Sequence, residues 1–146
     1  MTSSGIGEVD PKEAWSALNS GEKAILIDVR TRAEWAFVGL PDLSATGREP
    51  ALLEWQSFPS MGVDPDFAAE ALDAIERAGA ETAYFLCRSG GRSMKAALVT
   101  AHAAAAAGRA LSCFNITEGF EGDLDGESRR GAMNGWKARG LPWRQS

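Results

Sequence analysis

Three short apolar runs constrain the fold more than any other feature of this sequence. They cover residues 24–29, 84–87 and 111–116, and segments with helical character lie between them. Continuous apolar runs of this length are typical of strands that are covered on both faces of a parallel sheet. Parallel neighbours require crossover connections, which are almost always right-handed. The sequence therefore predicts an α/β fold with a parallel sheet.

Helix-start signals support this alternation. Asp10, Thr31 and the Asp64 segment each offer a side-chain cap at the beginning of a predicted helix. A fourth, alanine-rich helix is predicted at about residues 93–107. By contrast, residues 41–62 are rich in Gly, Pro and Ser and predict a long irregular connection.

Length and charge limit the classes of function. The 146 residues fit one domain, 1–146, with residues 1–7 expected to be a flexible N-terminus. The net charge of −5 argues against a nucleic-acid partner, for which a basic surface would be expected. Neither a signal-peptide pattern nor a run long enough for a membrane span is present, so we expect no membrane partner and a cytoplasmic location. A reducing compartment would keep both cysteines as free thiols.

The second apolar run ends on Cys87, and a polar loop follows it before the alanine-rich helix begins. In order, the loop residues are Arg88, Ser89, Gly90, Gly91, Arg92 and Ser93. Ligands of parallel sheets bind beyond the carboxyl ends of the strands, which is where Cys87 falls. The two glycines allow the backbone to curl until several amides face one point, and the helix N-terminus adds positive potential. Such a site favours a thiolate, so Cys87 is predicted to be a nucleophile.

Spacing within this loop distinguishes between two kinds of cysteine chemistry. Four residues separate Cys87 from Arg92. Cysteine phosphatases place five residues between nucleophile and arginine, and here that position holds Ser93. The arginine that would clamp a phosphate is therefore missing. The shorter spacing between Cys87 and Arg92 gives a tighter cradle, which fits a single extra sulfur atom on the cysteine, so it favours sulfur transfer.

The sequence resembles the rhodanese family of sulfurtransferases, specifically its single-domain members. Four segments carry the resemblance: Ile27-Asp28-Val29-Arg30 with Glu34-Trp35, the loop from Cys87 to Ser93, Asn115-Ile116-Thr117-Glu118-Gly119-Phe120, and Gly135-Trp136 with Gly140-Leu141-Pro142. It implies a five-stranded, mostly parallel sheet with helices on both faces. Two departures are visible: residues 39–41 lack the family's usual histidine, and residues 121–134 form a loop insertion. This insertion could border the active site or serve as a partner surface.

The resemblance also implies a ping-pong reaction. Cys87 is the expected catalytic residue, taking sulfane sulfur from a small anionic donor (thiosulfate or a persulfide) and passing it to a thiol or a protein cysteine. Expected substrate-binding residues are Arg88, Ser89, Gly90, Gly91, Arg92 and Ser93. Expected structural support comes from Asp28, held by Arg30 or a backbone amide, and from an Arg30–Glu34 ion pair. Neither a metal nor an organic cofactor is required.

Several alternatives stay open on the sequence alone. The same scaffold could carry a phosphatase or an arsenate reductase, or it could act as a persulfide carrier or protein-interaction module. Cys113 is expected to be a small buried residue, with a resolving role toward Cys87 as the alternative. The only histidine, His102, is predicted to lie too far along its helix to reach the loop. Candidate pocket walls are Trp35, Phe58 and Phe120.

Overall fold

A five-stranded parallel sheet forms the centre of the computed structural model, which describes residues 6–145. Numbered along the chain, its strands are β1 (Gly7–Val9), β2 (Ala24–Asp28), β4 (Ala51–Leu52), β7 (Thr82–Leu86) and β8 (Ser112–Ile116). They lie in the order β1-β8-β7-β2-β4, and every neighbouring pair is parallel. The predicted architecture is confirmed.

Four α-helices connect the strands: α1 (Pro11–Leu18), α2 (Arg32–Phe37), α3 (Phe67–Arg77) and α4 (Gly91–Ala106). Two of the three helix starts carry the expected side-chain caps, since Asp10 caps α1 and Thr31 caps α2 in complete capping boxes. Helix α3 follows Asp66, whose side chain makes no capping hydrogen bond. Helix α4 begins at Gly91, two residues earlier than predicted, since the loop after Cys87 runs directly into the first turn. No helix within residues 6–145 is long and apolar enough to cross a membrane.

Each face of the sheet is covered by a separate apolar cluster. Ile25, Ile27 and Phe85 point to the side where α3 and α4 pack. Leu26 and Leu86 point to the other side, which α1 and the C-terminal segment cover. Successive strand residues thus alternate between two buried faces, which explains why these strands are apolar throughout.

The edges of the sheet contain the two strands that the sequence pattern did not reveal. Strand β4 lies inside residues 41–62, which were predicted to be irregular, and its two residues are too few to show a period. The same region contains a 3₁₀ turn (Ser44–Thr46) and the hairpin of β5 (Gln56–Ser57) with β6 (Gly62–Val63).

At the opposite edge, β1 pairs with β8, with Gly7 opposite Phe114. The expected flexibility of residues 1–7 falls largely on residues 1–5, which lie outside the described residues, whereas Gly7 is held in a strand. Near the C-terminus, β9 (Trp143–Arg144) pairs with β3 (Leu40–Pro41). Residues 121–134 form turns and bends without a helix or strand.

Candidate active site

Cys87 lies immediately beyond the carboxyl end of β7, and only 1% of its surface is exposed. Its carbonyl oxygen accepts a hydrogen bond from the Phe120 N–H at 2.8 Å. The next carbonyl, of Arg88, accepts from the N–H groups of Glu121 at 3.0 Å and Gly122 at 3.1 Å. Because residues 120–122 bind both carbonyls, the loop is oriented independently of any substrate.

Two donors contact the Cys87 sulfur. The Gly90 N–H donates to Sγ at 3.1 Å, and the Ser93 hydroxyl lies 3.2 Å from it. Gly90 adopts φ +113° as the N-cap of α4, a backbone conformation that favours glycine. The sequence predicted several converging amides, but Gly90 provides the only backbone N–H bonded to this sulfur among the described residues. The N-terminus of α4, a 16-residue helix, adds positive potential on the same side.

Ser93 lies beneath the sulfur rather than beside an incoming substrate. It is fully buried, and its Oγ lies 2.6 Å from the Asn115 Oδ1 as well as 3.2 Å from the Cys87 Sγ. The Gly90 carbonyl, 3.3 Å away, is a third acceptor, and one hydroxyl proton serves these acceptors one at a time. The Asn115 amide nitrogen in turn donates to the Gly90 carbonyl at 3.2 Å. Ser93 is therefore placed to orient the thiol from inside, which differs from the expected contact with substrate.

Asn115 is a site residue that sequence reasoning did not assign. It is buried on β8, next to β7, opposite Phe85 in the register. A signal was available, because Asn115 is the one amide side chain in an otherwise apolar run. Buried amides require hydrogen-bond partners, and these partners proved to be the residues around Cys87.

Of the pairings expected near the loop, Arg30 does hold Asp28, whereas Arg30 and Glu34 form no ion pair. The expected Arg30–Glu34 pair is wrong: Arg30 pairs with Asp28 at 2.7 Å, and both side chains are fully buried. Glu34 instead receives two hydrogen bonds from Arg92, at 2.7 and 2.8 Å. The reason is that Glu34 also closes the capping box of α2, which turns its carboxylate toward the Cys87 loop.

Both partners of this second pair stay charged. Burial opposes ionisation of Glu34, but hydrogen bonds from Arg92 and the Thr31 N–H, together with nearby positive charge, lower its pKa. Burial likewise opposes the charge on Arg92, and Glu34 outweighs it, so the pKa of Arg92 is raised. The positive charge of Arg92 is consequently matched by Glu34, and Arg92 is not the free anion-attracting group that the sequence suggested.

A cavity of about 910 Å³ lies beside the loop. Its lining includes Arg88, Arg92, Phe37, Phe58, Leu124 and Arg130. Of the expected pocket walls, Phe58 does line this cavity, whereas Trp35 lines a different one and Phe120 is fully buried under the guanidinium of Arg30. The 121–134 insertion therefore borders the cavity.

The other residues considered from the sequence, Cys113 and His102, form no hydrogen bond with the Cys87 sulfur among the described residues. Cys113 is buried, and burial raises the pKa of its thiol to about 12, so it is protonated at neutral pH. Both cysteines are free thiols. His102 is exposed along α4. Within residues 6–145, no group of three or more His, Cys, Asp or Glu side chains is arranged to hold a metal ion.

Similar proteins share both the sequence and the fold. No model of a known protein family matches the chain. An uncharacterized protein of Rickettsia rickettsii, the RP600 homolog, is 35% identical over 131 residues, which cover 90% of this chain and 91% of that protein. The crystal structure of Rv0390 from M. tuberculosis matches with 45% identity and a TM-score of 0.81, over 96% of this chain and 98% of that one.

Two more distant structures share the fold alone. The As-Sb reductase from Leishmania major matches with a TM-score of 0.58 and 17% identity, over 86% of this chain and 92% of its own. The polysulfide-sulfur transferase homodimer from Wolinella succinogenes matches with a TM-score of 0.55 and 18% identity, over 97% of this chain and 80% of its own.

Proposed function

The chain belongs to the rhodanese-like family, and we propose that it is a sulfurtransferase that carries sulfane sulfur as a persulfide on Cys87. One observation carries the proposal: the Cys87 sulfur accepts the Gly90 N–H at 3.1 Å at the N-terminus of α4. A hydrogen-bond donor and a helix N-terminus both stabilise an anionic sulfur. The same groups stabilise the terminal sulfur of a persulfide less directly, since it extends outward from Sγ.

In the first half-reaction, the Cys87 thiolate attacks the outer sulfur of thiosulfate. A new S–S bond forms at Cys87 while the S–S bond of the donor breaks, and sulfite leaves with the electron pair. The total charge of −3 is the same on both sides. Arg88 is exposed beside the cavity and attracts the dianionic donor.

In the second half-reaction, the thiolate of an acceptor attacks the outer sulfur of the persulfide. The Cys87 thiolate leaves with the electron pair and is ready for another donor. Neither step needs an external oxidant or reductant, and neither involves Cys113. Sulfur transfer therefore requires a nucleophilic sulfur and donors that stabilise its negative charge, for which this loop offers Cys87 and the Gly90 N–H.

Intact-mass analysis after incubation with thiosulfate tests the proposal. We expect the protein to gain the mass of one sulfur atom, and we expect Cys87→Ser to lose this adduct. Cys113→Ser serves as the matched control, because it removes a thiol whose raised pKa keeps it protonated. Wild-type protein that gains no sulfur from thiosulfate or from a persulfide donor would contradict the proposal. Sulfur retained by Cys87→Ser would also contradict it.

An arsenate reductase or phosphatase on this scaffold is the second candidate, supported by fold similarity to the As-Sb reductase. The position that would hold the oxyanion-clamping arginine is Ser93, which is buried beneath Cys87. We therefore expect no turnover of arsenate or of an aryl phosphate. Turnover that depends on Cys87 would favour this candidate over sulfur transfer.

A persulfide carrier that serves a protein partner is the third candidate. It would form the same Cys87 persulfide but exchange sulfur slowly with thiosulfate and quickly with a persulfide on another protein. Comparing the two rates of Cys87 persulfide formation distinguishes the carrier from the thiosulfate enzyme.

A further inference from the structure

We propose that Arg130, carried to the cavity by the 121–134 insertion, acts with Arg88 to bind the carboxylate of an organic sulfur compound. The ligand class is a thiol, or its persulfide, that bears one anionic group and an apolar body. This proposal rests on the proposed function, because it concerns the molecule that exchanges sulfur with Cys87.

Charge pairing around the cavity is the first argument. Three guanidinium groups line it, those of Arg88, Arg92 and Arg130. Arg92 is neutralised by Glu34. Within residues 6–145, the side chains of Arg88 and Arg130 have no carboxylate within 4.0 Å. Two positive charges are thus available at the cavity in a protein whose net charge is −5.

Gly122 ties Arg130 to the Cys87 loop. Its N–H donates to the Arg88 carbonyl at 3.1 Å, and its own carbonyl accepts from the Arg130 Nη1 at 2.7 Å. A Cβ at position 122, where φ is +79°, would lie 2.1 Å from the Asn134 carbonyl oxygen. The turn therefore requires glycine, and it holds the Arg130 guanidinium in a defined place relative to the loop.

One carboxylate limits the charge that the cavity accepts. Glu121 also lines it. The charges of Arg92 and Glu34 cancel. The remaining charged residues of the lining, Arg88, Arg130 and Glu121, leave a small excess of positive charge. Such a balance suits one carboxylate on the body of the ligand, and Glu121 opposes additional carboxylates there.

The size and walls of the cavity indicate an organic ligand. Its volume of about 910 Å³ is near the upper end of the ~300–1,000 Å³ range for small-molecule sites. Thiosulfate, with five non-hydrogen atoms, would leave most of this volume unfilled. The walls include Phe37, Phe58 and Leu124, which are 81%, 66% and 50% exposed. Large apolar side chains at the mouth gain contact area when a ligand with an apolar body covers them.

The corresponding transfer step is balanced. The Cys87 thiolate attacks the outer sulfur of R–S–S⁻, the donor S–S bond breaks, and R–S⁻ leaves with the electron pair. Counting the carboxylate that R carries, the total charge is −3 before and after. When R–S⁻ is the acceptor, the same step runs in reverse.

Alkylation of Cys87 with a matched pair of reagents tests the proposal without requiring sulfur transfer. The anionic probe is 4-(iodoacetamido)benzoate and the neutral probe is 4-(iodoacetamido)benzamide. The measurement is the ratio of their second-order rate constants at Cys87, from peptide masses at neutral pH and low salt. We expect Arg130→Gln to lower this ratio about fivefold, since a charge-assisted hydrogen bond to the probe is lost.

Arg129→Gln is the matched control, because it removes the same charge from the neighbouring position, where the side chain is exposed and does not line the cavity. We expect it to leave the ratio unchanged, and we expect Arg130→Lys to restore part of it. An equal fall in both glutamine variants, or no fall in Arg130→Gln, would overturn the proposal. The rate with the neutral probe reports whether the fold is intact. The two experiments fail independently. A protein that gains no sulfur would refute sulfur transfer, whereas the ratio of alkylation rates tests the anion site whether or not sulfur is transferred.

Discussion

At the scale of single residues, the pairing of charges decides what each one does. Arg88 and Arg92 are the same residue type on the same loop, and the sequence assigned both to anion attraction. In the structure, Arg92 is partly buried and bonded to Glu34, while Arg88 is exposed and unpaired within residues 6–145. Arg92 therefore stabilises the loop, and Arg88 is the arginine of this loop that we propose meets the substrate.

The Arg92–Glu34 pair leads to a stability prediction at this scale. We expect Glu34→Gln to lower the free energy of unfolding by about 1–3 kcal/mol more than Glu13→Gln does, as measured in urea. Both glutamates close a capping box at the third position of their helix, but Glu34 alone also binds an arginine. Equal losses in the two variants would show that the Arg92 pair contributes nothing.

The difference in unfolding free energy between Glu34→Gln and Glu13→Gln should depend on pH in a definite direction. The pKa of Glu34 is lowered from its ordinary 4.5 in the folded protein, so the unfolded chain takes up the proton first as the pH falls. The extra stability is therefore complete above about pH 4.5 and is lost as the pH falls through the folded pKa. A difference between the variants that grew on acidification would contradict this assignment.

At the scale of elements, the site depends on how the β7–loop–α4 unit meets the turn segment at residues 117–122. The sequence predicted the strand, the loop and the helix, because local apolar pattern and glycine content specify them. It did not predict that this turn would bind the carbonyls of the loop, because that contact joins residues about thirty positions apart. Gly119 makes the contact possible: a Cβ there would lie 2.5 Å from the carbonyl oxygens of Cys87 and Arg88.

We expect Gly119→Ala to destabilise the protein by at least about 2 kcal/mol more than Gly108→Ala. Both glycines have nearly the same backbone conformation, with φ +69° and +71°, but nothing lies within 4 Å of a Cβ at position 108. The difference in urea unfolding therefore isolates the clash with the loop. We also expect Gly119→Ala to slow persulfide formation at Cys87. Similar losses for the two variants would indicate that only the left-handed backbone matters.

At the scale of the whole molecule, the C-terminal segment completes the second apolar face. Trp136 is fully buried, its ring meets Trp15 edge-on at 6.1 Å, and its indole N–H donates to the Pro142 carbonyl at 2.7 Å. Its backbone N–H also binds the Gly119 carbonyl, so this core and the turn beneath Cys87 are linked. That residues 1–146 form a single domain stays a prediction.

We expect Trp136→Ala to cost about 3–5 kcal/mol in the free energy of unfolding, because it leaves a large cavity in this core. Trp143→Ala is the control, since that side chain is 39% exposed in the edge strand β9, and we expect it to cost about 1 kcal/mol or less. Comparable losses in chemical denaturation would mean that the C-terminal segment does not support the core.

The sequence alone determined the α/β architecture, the three long core strands, four helices and the position of Cys87 beyond a strand. These features follow from hydrophobic period, capping residues and glycine placement, all of which act over a few neighbouring residues. Tertiary structure alone decided that Glu34 binds Arg92, that Asn115 binds Ser93, and that Arg130 reaches the cavity. Each of these contacts joins distant segments, and its partner is chosen by which side chains the packed sheet leaves within hydrogen-bonding distance.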